Sequence, residues 1–458
     1  MVDDVMRKPL GGIQWSKLPG VFGLSLLLII LCLTACARSE SPVADEPKST
    51  SVASTPTVAT SLTTSIPPSA TRVSYTPTPE SSTVTDDLQP TVILTTSPSD
   101  STPTGGETFV DSGQRLDDQR SWSVALGDLD ADADVDALVV NDHRVQVWLN
   151  DGTGIFVSGQ ELVKHFSDLA LGDLDGDGDL DAFAVGPERR GEIWLNDGFG
   201  FFEIGQRLSS GALGHAIALG DVDGDMDLDA YLASDGMNML FLNNGQGQFT
   251  DSGQRFGSDD PIEDGSIDVV FADLDGDDDT DVFEVVYGGL HRIWFNDGSG
   301  NFMDSGQVVD VGEGNSHGVA IGDLDGDGDL DAFVTVTEIM AFQVWFNDGA
   351  GVFSNSGQSL PSSNAQKVDL GDLDGDGDLD AFMVNTGTSD EGAGNTIWIN
   401  NGDGFFLDSG LRLGHEYSLD VALGDLDGDG DLDAFVVNSY FSNATVDKAN
   451  RVWMNISS

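Results

Sequence analysis

The chain has 458 residues, and its 79 acidic and 19 basic side chains give a formal net charge of −60 at pH 7. A charge of this sign and size repels the phosphates of nucleic acids, so the composition argues against nucleic-acid binding. The two cysteines, Cys32 and Cys36, both lie near the N-terminus, so no disulfide framework can hold the rest of the chain together.

Residues 1–35 have the pattern of an export signal. Arg7, Lys8 and Lys17 precede an apolar run over residues 21–33, which is short for a membrane-spanning helix and typical of a signal peptide. The run ends in Leu-Thr-Ala-Cys at residues 33–36, which resembles the lipobox of bacterial lipoproteins. This resemblance implies that Cys36 carries lipid and anchors the protein at the bacterial cell surface, in an outer membrane or on the outer leaflet of the cytoplasmic membrane. The alternative is an uncleaved anchor with an incidental cysteine.

Residues 36–106 follow as a segment rich in Ser, Thr and Pro and poor in large apolar side chains. Such a segment cannot bury enough surface to offset the entropy lost on ordering. We expect a disordered tether between the lipid and the folded domain.

Residues 107–458 are one repeat. The stretch Gly-Asp-Leu-Asp-Gly-Asp-Gly-Asp-Leu-Asp-Ala-Phe at residues 172–183 recurs, with small changes, in seven copies whose leading aspartates are 45 to 53 residues apart. Periods of this length are typical of propellers and solenoids. The leading aspartates are Asp128, Asp173, Asp221, Asp273, Asp323, Asp372 and Asp425.

Each repeat predicts four antiparallel strands. The Asp-rich loop joins the first strand to the second, a third strand carries Trp in six copies, and an Asn-Asp-Gly or related turn leads to the fourth. Four such strands describe a propeller blade. The last repeat stops after its third strand, at residues 451–455, and the domain begins with an orphan fourth strand at residues 109–116. We therefore predict an all-β, seven-bladed, monomeric β-propeller whose N-terminal strand completes the last blade and leaves no open sheet edge.

The Asp-rich loops carry Asp at positions one, three, five, seven and nine in every copy. So many carboxylates would repel one another without a cation, and hard oxygen ligands at this density favour Ca²⁺. The candidate metal residues are Asp128, Asp130, Asp132, Asp134 and Asp136; Asp173, Asp175, Asp177, Asp179 and Asp181; Asp221, Asp223, Asp225, Asp227 and Asp229; Asp273, Asp275, Asp277, Asp279 and Asp281; Asp323, Asp325, Asp327, Asp329 and Asp331; Asp372, Asp374, Asp376, Asp378 and Asp380; and Asp425, Asp427, Asp429, Asp431 and Asp433.

The loops are not EF-hands, because position 12 is apolar in six copies and belongs to a strand; the one exception is Glu284. They resemble the loops of the FG-GAP/VCBS repeat family, known from integrin α-subunit propellers and bacterial surface proteins. The resemblance implies Ca²⁺ ligation by the side chains at positions one, three, five and nine and by the backbone carbonyl at seven. It implies up to seven structural Ca²⁺ ions that join the first two strands of each blade. Position six departs from Gly in three copies, as Ala133, Met226 and Asp278, and we expect strain there.

The Asp-rich loops and the Asn-Asp-Gly turns share one face of the predicted propeller. Partners are expected on the opposite face, where the connections between strands two and three, and between blades, vary in length. Binding residues concentrate on loops held by a rigid frame. The alternative is that the polar side chains there are ordinary residues at strand starts. The candidate ligand-face residues are Trp122, His143, Arg144, His215, Tyr287, His291, His317, His415, Tyr440 and Phe441.

Two functions remain in competition, beside a purely structural or calcium-buffering role. The first is a non-catalytic binding or adhesion module for an extracellular protein or glycan, attached to the membrane through its lipid. The second is an extracellular enzyme, such as a polysaccharide lyase, with its site on the variable face. The sequence contains no serine-nucleophile elbow and no HExxH motif, so the binding module is the expected function and no catalytic residue is predicted.

Overall fold

The computed structural model describes residues 109–163, 165–187, 190–209, 213–257, 265–312, 314–337, 341–387, 393–439 and 448–457. The signal peptide, Cys36 and the tether lie outside the described residues, and so do Tyr440 and Phe441. The described residues form 28 strands and no helix, so none of them belongs to a helix that could cross a membrane. The strands make seven four-stranded antiparallel sheets, which confirms the predicted seven-bladed propeller.

The first four blades follow one another along the chain. The first contains β2 (Ser121–Gly127), β3 (Asp136–Asn141), β4 (Val145–Asn150) and β5 (Phe156–Leu162). The second contains β6 (Asp168–Gly172), β7 (Asp181–Gly186), β8 (Arg190–Asn196) and β9 (Phe202–Ser209). The third contains β10 (Gly214–Gly220), β11 (Asp229–Ser234), β12 (Asn238–Leu242) and β13 (Thr250–Phe256). The fourth contains β14 (Ser266–Ala272), β15 (Asp281–Val286), β16 (Leu290–Asn296) and β17 (Phe302–Asp310).

The last three blades complete the ring. The fifth contains β18 (Val319–Gly322), β19 (Asp331–Val336), β20 (Ala341–Phe346) and β21 (Ser354–Pro361). The sixth contains β22 (Ala365–Gly371), β23 (Asp380–Asn385), β24 (Thr396–Ile399) and β25 (Leu407–Asp408). The seventh contains β26 (Tyr417–Gly424), β27 (Asp433–Ser439), β28 (Arg451–Asn455) and, from the other end of the chain, β1 (Phe109–Asp111).

The second strand of each blade is buried along its whole length because neighbouring blades cover both of its faces. This explains why its Asp-Ala-Phe-Val-Val pattern is continuously apolar after the aspartate and does not alternate. Aromatic rings of adjacent blades meet edge to face in the resulting core. The Phe183 ring lies 5.0 Å from that of Phe249, and the Phe435 ring lies 5.3 Å from that of Phe156.

The seventh blade closes the ring as predicted, with β1 pairing Phe109 to Asn455 and Asp111 to Trp453. Regular pairing covers residues 109–111 and is shorter than the predicted strand of residues 109–116. Gly113, at φ +83°, interrupts the strand, and pairing resumes only at a bridge from Leu116 to Asn450. Phe109 and Leu116 are both buried, so the segment is held at its two ends.

The first strands of neighbouring blades contact one another, so they line the axis of the ring. We call the side formed by the seven Asp loops and the Asn-Asp-Gly-type turns the loop face. We call the side formed by the connections between second and third strands, and between consecutive blades, the variable face.

Candidate metal centres and partner face

Each Asp loop curls around the carboxylate at position one. In the second blade, Oδ1 of Asp173 accepts the backbone N–H of Gly176 at 2.8 Å, and Oδ2 accepts that of Gly178 at 3.1 Å. The same position-six N–H is bonded to the leading aspartate in all seven loops. Hydrogen bonds from the loop backbone alone therefore hold the leading carboxylate at the centre of each loop.

The carboxylate at position three has a buried oxygen atom without a hydrogen-bond partner in four blades. In the first four blades its Oδ1 atom is buried and has no hydrogen-bond partner, a condition that costs free energy unless something else binds the oxygen. Burial, together with repulsion from Asp177 and Asp173, raises the pKa of Asp175. A cation would relieve both penalties. The four unpaired oxygens belong to Asp130, Asp175, Asp223 and Asp275.

Carboxylate oxygens converge in these loops as a metal site requires. Ligand atoms from positions one, three and nine lie within 4.8 Å of one another in the first, second, fourth and fifth blades, and those from positions one, three and five do so in the third. Such a set of carboxylate oxygens suits Ca²⁺ and offers none of the nitrogen or sulfur ligands that favour zinc or copper. The donor set therefore fits the metal that the sequence predicts.

The aspartate at position nine also ties the loop to the blade. The side chain of Asp181 is buried, and it accepts the backbone N–H of Leu174 at 3.1 Å and that of Asn196, at the end of the third strand, at 2.8 Å. Burial raises the pKa of this aspartate to about 6 in five loops and to about 7 in the third and sixth. In the absence of metal, burial thus opposes the charged form that a cation needs.

The side chain at position seven is turned toward the following turn. In the second blade it lies against Gly198, where a Cβ atom would come within 2.5 Å of Oδ2 of Asp179. This crowding explains why the turn needs glycine, which also has φ +71° there. Ligation through the backbone carbonyl at position seven remains a prediction.

Three loops carry the strain that the sequence predicts at position six. Ala133, Met226 and Asp278 have φ values of +74°, +74° and +70°, in the left-handed region that favours glycine. Ala131, at position four of the first loop, also has a positive φ of +61°. The backbone keeps the glycine conformation although the glycine is gone.

Adjacent loops are joined around the ring by the asparagine that starts each turn. The side-chain amide of Asn196 donates to the carbonyl of Leu129 in the preceding blade at 2.9 Å. The corresponding amide makes the same bond in all seven blades, including Asn150, which donates to Leu426 of the seventh blade at 2.7 Å where the ring closes. The loop face is therefore one continuous hydrogen-bonded structure.

On the variable face, several candidate residues of the first blade already have polar partners. The indole N–H of Trp122 donates to Asp142 at 3.0 Å, and the guanidinium of Arg120 lies 4.4 Å from the centre of the indole. Arg144 binds Asp117 at 2.6 Å and Glu161 at 2.8 Å. His143 remains exposed, with its ring 6.3 Å from that of His165 at the edge of the second blade.

The candidates of the later blades differ in exposure. Tyr287 is 44% exposed, and its ring meets that of His317 edge to face at 6.2 Å. His291 is buried, with Nδ1 accepting the N–H of Val286 and Nε2 3.0 Å from the hydroxyl of Ser316, and burial lowers its pKa to about 3. His291 is therefore an interior residue of this face, and a partner cannot reach it without rearrangement.

The remaining two histidines lie near the axis and at the seventh blade. Burial lowers the pKa of His215, although the charge of Asp235 opposes this shift. His415 is exposed, and its backbone N–H donates to Glu416 at 2.6 Å. The structure thus forms two ring pairs on this face. His143 and His165 meet at the first and second blades, and Tyr287 and His317 meet at the fourth and fifth.

A buried polar network that the repeat pattern does not predict lies between the third and fourth blades. Glu284 is buried and accepts bonds from Ser266 at 2.6 Å, Trp294 at 2.8 Å and Tyr231 at 3.3 Å. Burial raises the pKa of this glutamate. The sequence carries a signal for this network, because Tyr231 and Glu284 replace apolar residues of other copies in two adjacent blades.

Comparison with known proteins agrees with the repeat. A family model described as FG-GAP-like repeat matches residues 128–183, 173–232, 221–284, 285–334 and 372–436, which together exceed half of the chain. No curated protein sequence matches the chain.

Solved structures share the fold. BBS1N in complex with ARL6DN, soaked with mercury, aligns with a TM-score of 0.53 at 8% identity, over 76% of this chain and 97% of that one. The same complex soaked with lead aligns with a TM-score of 0.52 at 9% identity, over 76% and 96%. An Agrocybe aegerita lectin that recognises non-reducing terminal N-acetylglucosamine aligns with a TM-score of 0.46 at 19% identity, over 74% and 86%. At 8% and 9% identity, the likeness to the two BBS1N structures shows the fold alone.

Proposed function

The chain belongs to the FG-GAP-like repeat family, and on that premise we propose that it is a calcium-stabilised, lipid-anchored binding module of the bacterial surface. Its partner is an extracellular protein or glycan, and the partner binds the variable face. The module binds without catalysing a reaction.

The difference between the two faces carries this proposal. On the loop face, each turn is bonded to the loop of the preceding blade, and the leading aspartates accept hydrogen bonds from the loop backbone. On the variable face, the connections differ from blade to blade and expose aromatic and imidazole side chains such as Tyr287 and His143. Exposed side chains held by a rigid frame are available to a partner.

Calcium has a structural role in this proposal. Its support is the unpaired buried oxygen at position three and the convergence of carboxylates around it. The ligands come from a loop whose ends are the first and second strands of one blade, so a bound ion holds those strands together. The metal lies on the face opposite to the proposed partner site, which fits a staple better than a catalytic ion.

The lyase alternative has less support. A lyase that acts on an acidic polysaccharide needs unpaired cationic side chains to hold the polyanion. Among the described residues of the variable face, Arg144 is bound to Asp117 and Glu161, and Arg292 lies 3.3 Å from the buried Glu284. These arginines are already neutralised by the protein itself.

The test is a binding screen of the full chain against arrays of immobilised glycans and purified extracellular proteins, with and without Ca²⁺. For each hit, Tyr287→Ala combined with His317→Ala is compared with Phe199→Ala. Phe199 is a matched control, because it is an aromatic residue of the loop face that is 78% exposed. We expect the double variant to weaken binding by about tenfold or more and the control to bind normally.

The opposite pattern, in which Phe199→Ala abolishes binding and the double variant does not, contradicts the assignment of the partner to this part of the variable face. Consumption of a polysaccharide on the array, measured as release of unsaturated sugar, contradicts the non-catalytic assignment and supports the lyase.

A further inference from the structure

Each blade has one residue near the axis of the ring, five positions before the leading aspartate of its loop; we call the space along this axis the central channel. The residue belongs to the first strand in six blades and directly precedes that strand in the fifth. Side chains from non-adjacent blades meet there: Nζ of Lys367 in the sixth blade lies 2.6 Å from Oδ1 of Asp268 in the fourth. In blade order the seven residues are Ser123, Asp168, Ala216, Asp268, Gly318, Lys367 and Asp420. No other lysine or arginine occupies this position in the seven blades.

The three aspartates of this ring join pairs of blades. Each accepts, at 3.1 Å, a backbone N–H of the following blade: Asp420 from Val124, Asp168 from Ile217, and Asp268 from Val319. The following blade carries a small residue at the same level: Ser123, Ala216 or Gly318. Aspartate and small residue therefore alternate around the channel. Since seven is odd, the alternation leaves one blade without a partner, and that blade carries Lys367.

The lysine reaches its partner by crossing the fifth blade. A Cβ atom on Gly318 would come within 2.8 Å of Cδ of Lys367, so the stem of the lysine lies over the glycine. The side chain of Lys367 remains 30% exposed, to the channel, while that of Asp268 is 9% exposed. The glycine of the fifth blade thus makes room for a contact between the fourth and sixth blades.

The charges of all three aspartates favour the protonated form of Lys367, and Asp268 is the one in direct contact. Burial alone would lower the pKa of Lys367, but the charges of Asp268, Asp420 and Asp168 raise it above its ordinary value. Burial raises the pKa of Asp168, and Lys367 opposes that shift. Three carboxylates near the axis of the ring repel one another unless a cation lies among them.

We propose that Asp168, Asp268 and Asp420 form a primary-ammonium site on the axis of the propeller, which the protein fills with its own Lys367. The site is separate from the Asp loops and from the variable face, and it does not depend on the function proposed above. When the lysine side chain is removed, the same carboxylates bind a soluble primary ammonium ion.

Chemical rescue tests this site. Lys367→Ala removes the propylammonium part of the side chain, and we expect the melting temperature of the full chain to fall by roughly 5 °C or more. Added propylammonium should restore a large part of this loss, whereas tetramethylammonium, which has the charge but no N–H, should not. Lys448→Ala, which removes a lysine from the connection before β28, is the matched control and should not respond to either ion.

If Lys367→Ala does not fold, the yield of folded protein on refolding with each ion becomes the measurement, with the same expected order. A variant that melts like the wild type overturns the proposal. So does a destabilised variant that propylammonium stabilises no more than tetramethylammonium does, since its carboxylates would then not form a primary-ammonium site.

Discussion

The carboxylate of Asp229 accepts the backbone N–H of Asn243 at 2.7 Å, and this bond ties the Asp loop of the third blade to its Asn-Asn-Gly turn. The second oxygen of Asp229 accepts the N–H of Val222 at 3.3 Å. The side-chain amide of Asn243 then donates to the carbonyl of Leu174 in the second blade at 2.9 Å. One carboxylate and one amide, both buried, thus join loop, strand and neighbouring blade.

The donor role of Asn243 predicts a difference between two adjacent residues. Asn243→Asp replaces the donating amide by a carboxylate oxygen beside the Leu174 carbonyl and should cost about 2 kcal/mol or more of unfolding free energy. Asn244→Asp should be nearly neutral, because the Asn244 side chain accepts N–H bonds from Gln246 and Gln248 and four other blades have Asp there. Urea denaturation of both variants checks this. Equal losses would contradict the assigned roles.

Removal of metal should lower the melting temperature. When the free Ca²⁺ concentration is a hundredfold above the dissociation constant of a site, binding at that site adds about 2.7 kcal/mol to the free energy of unfolding. A chelator abolishes that contribution. Thermal unfolding with Ca²⁺ and with excess chelator measures the difference. If the two melting curves coincide, Ca²⁺ does not stabilise the blades by joining their first two strands.

Asp175→Asn provides a site-specific version of this experiment. It removes one ligand charge in the second loop, so the stabilisation by Ca²⁺ should shrink. In metal-free protein the same change should be neutral or stabilising, because Asp173 and Asp177 lose a repelling neighbour. Destabilisation of the metal-free variant would indicate a structural role for Asp175 that is unrelated to calcium.

The position-nine aspartates predict that calcium inverts the pH dependence of stability. In metal-free protein their folded pKa of about 6 to 7 lies above the unfolded value of about 3.9, so the folded state binds more protons between these values. The free energy of unfolding should therefore fall as pH rises from about 4 to about 7. With saturating Ca²⁺ it should rise over the same range, because the ion binds the deprotonated carboxylates. Denaturation at pH 5 and pH 7.5, with and without Ca²⁺, measures how the free energy of unfolding changes with pH. A change in the same direction under both conditions would contradict the prediction.

Strain at position six should be removable. Met226 has φ +74° and is 89% exposed, so Met226→Gly relieves the conformation and loses little packing. We expect a gain of about 1 kcal/mol, from thermal unfolding with Ca²⁺ present. Gly178→Ala is the matched reverse change, because Gly178 has φ +95° and space for a methyl group, and it should cost a similar amount. A stability loss in Met226→Gly would show that the side chain makes a contribution beyond its backbone.

The lipobox resemblance predicts unequal roles for the two cysteines. Cys36→Ser should abolish incorporation of radiolabelled palmitate and move the protein from the membrane fraction to the soluble fraction. Cys32→Ser should leave both unchanged, because Cys32 lies within the apolar run of the signal. Labelling of Cys36→Ser at the wild-type level would exclude this residue as the lipid attachment site.

Much of the fold follows from residues close together in the chain. The number of Asp loops sets the number of blades. The orphan fourth strand at the start of the domain and the missing fourth strand at its end predict the closure that β1 and β28 make. The conformation at Ala133 and Met226 follows from the glycines at the same position in other copies. Such features repeat seven times, so the sequence itself supplies the comparison that identifies them.

The sequence could not predict contacts between residues far apart in the chain. His291 was expected on the partner face, and its burial follows from packing against Ser316 of the next blade. The role of Glu284 depends on its hydrogen bonds with Trp294 and with Tyr231 of the neighbouring blade, which the sequence does not reveal.

The seven-fold repeat, the convergent carboxylates and the two unlike faces were thus determined by the sequence itself, because each depends on local spacing within one blade. Only the tertiary structure decided which side chains of different blades meet. The contact of Lys367 with Asp268 across Gly318 depends on closing an odd-numbered ring, and nothing local to any one blade encodes it.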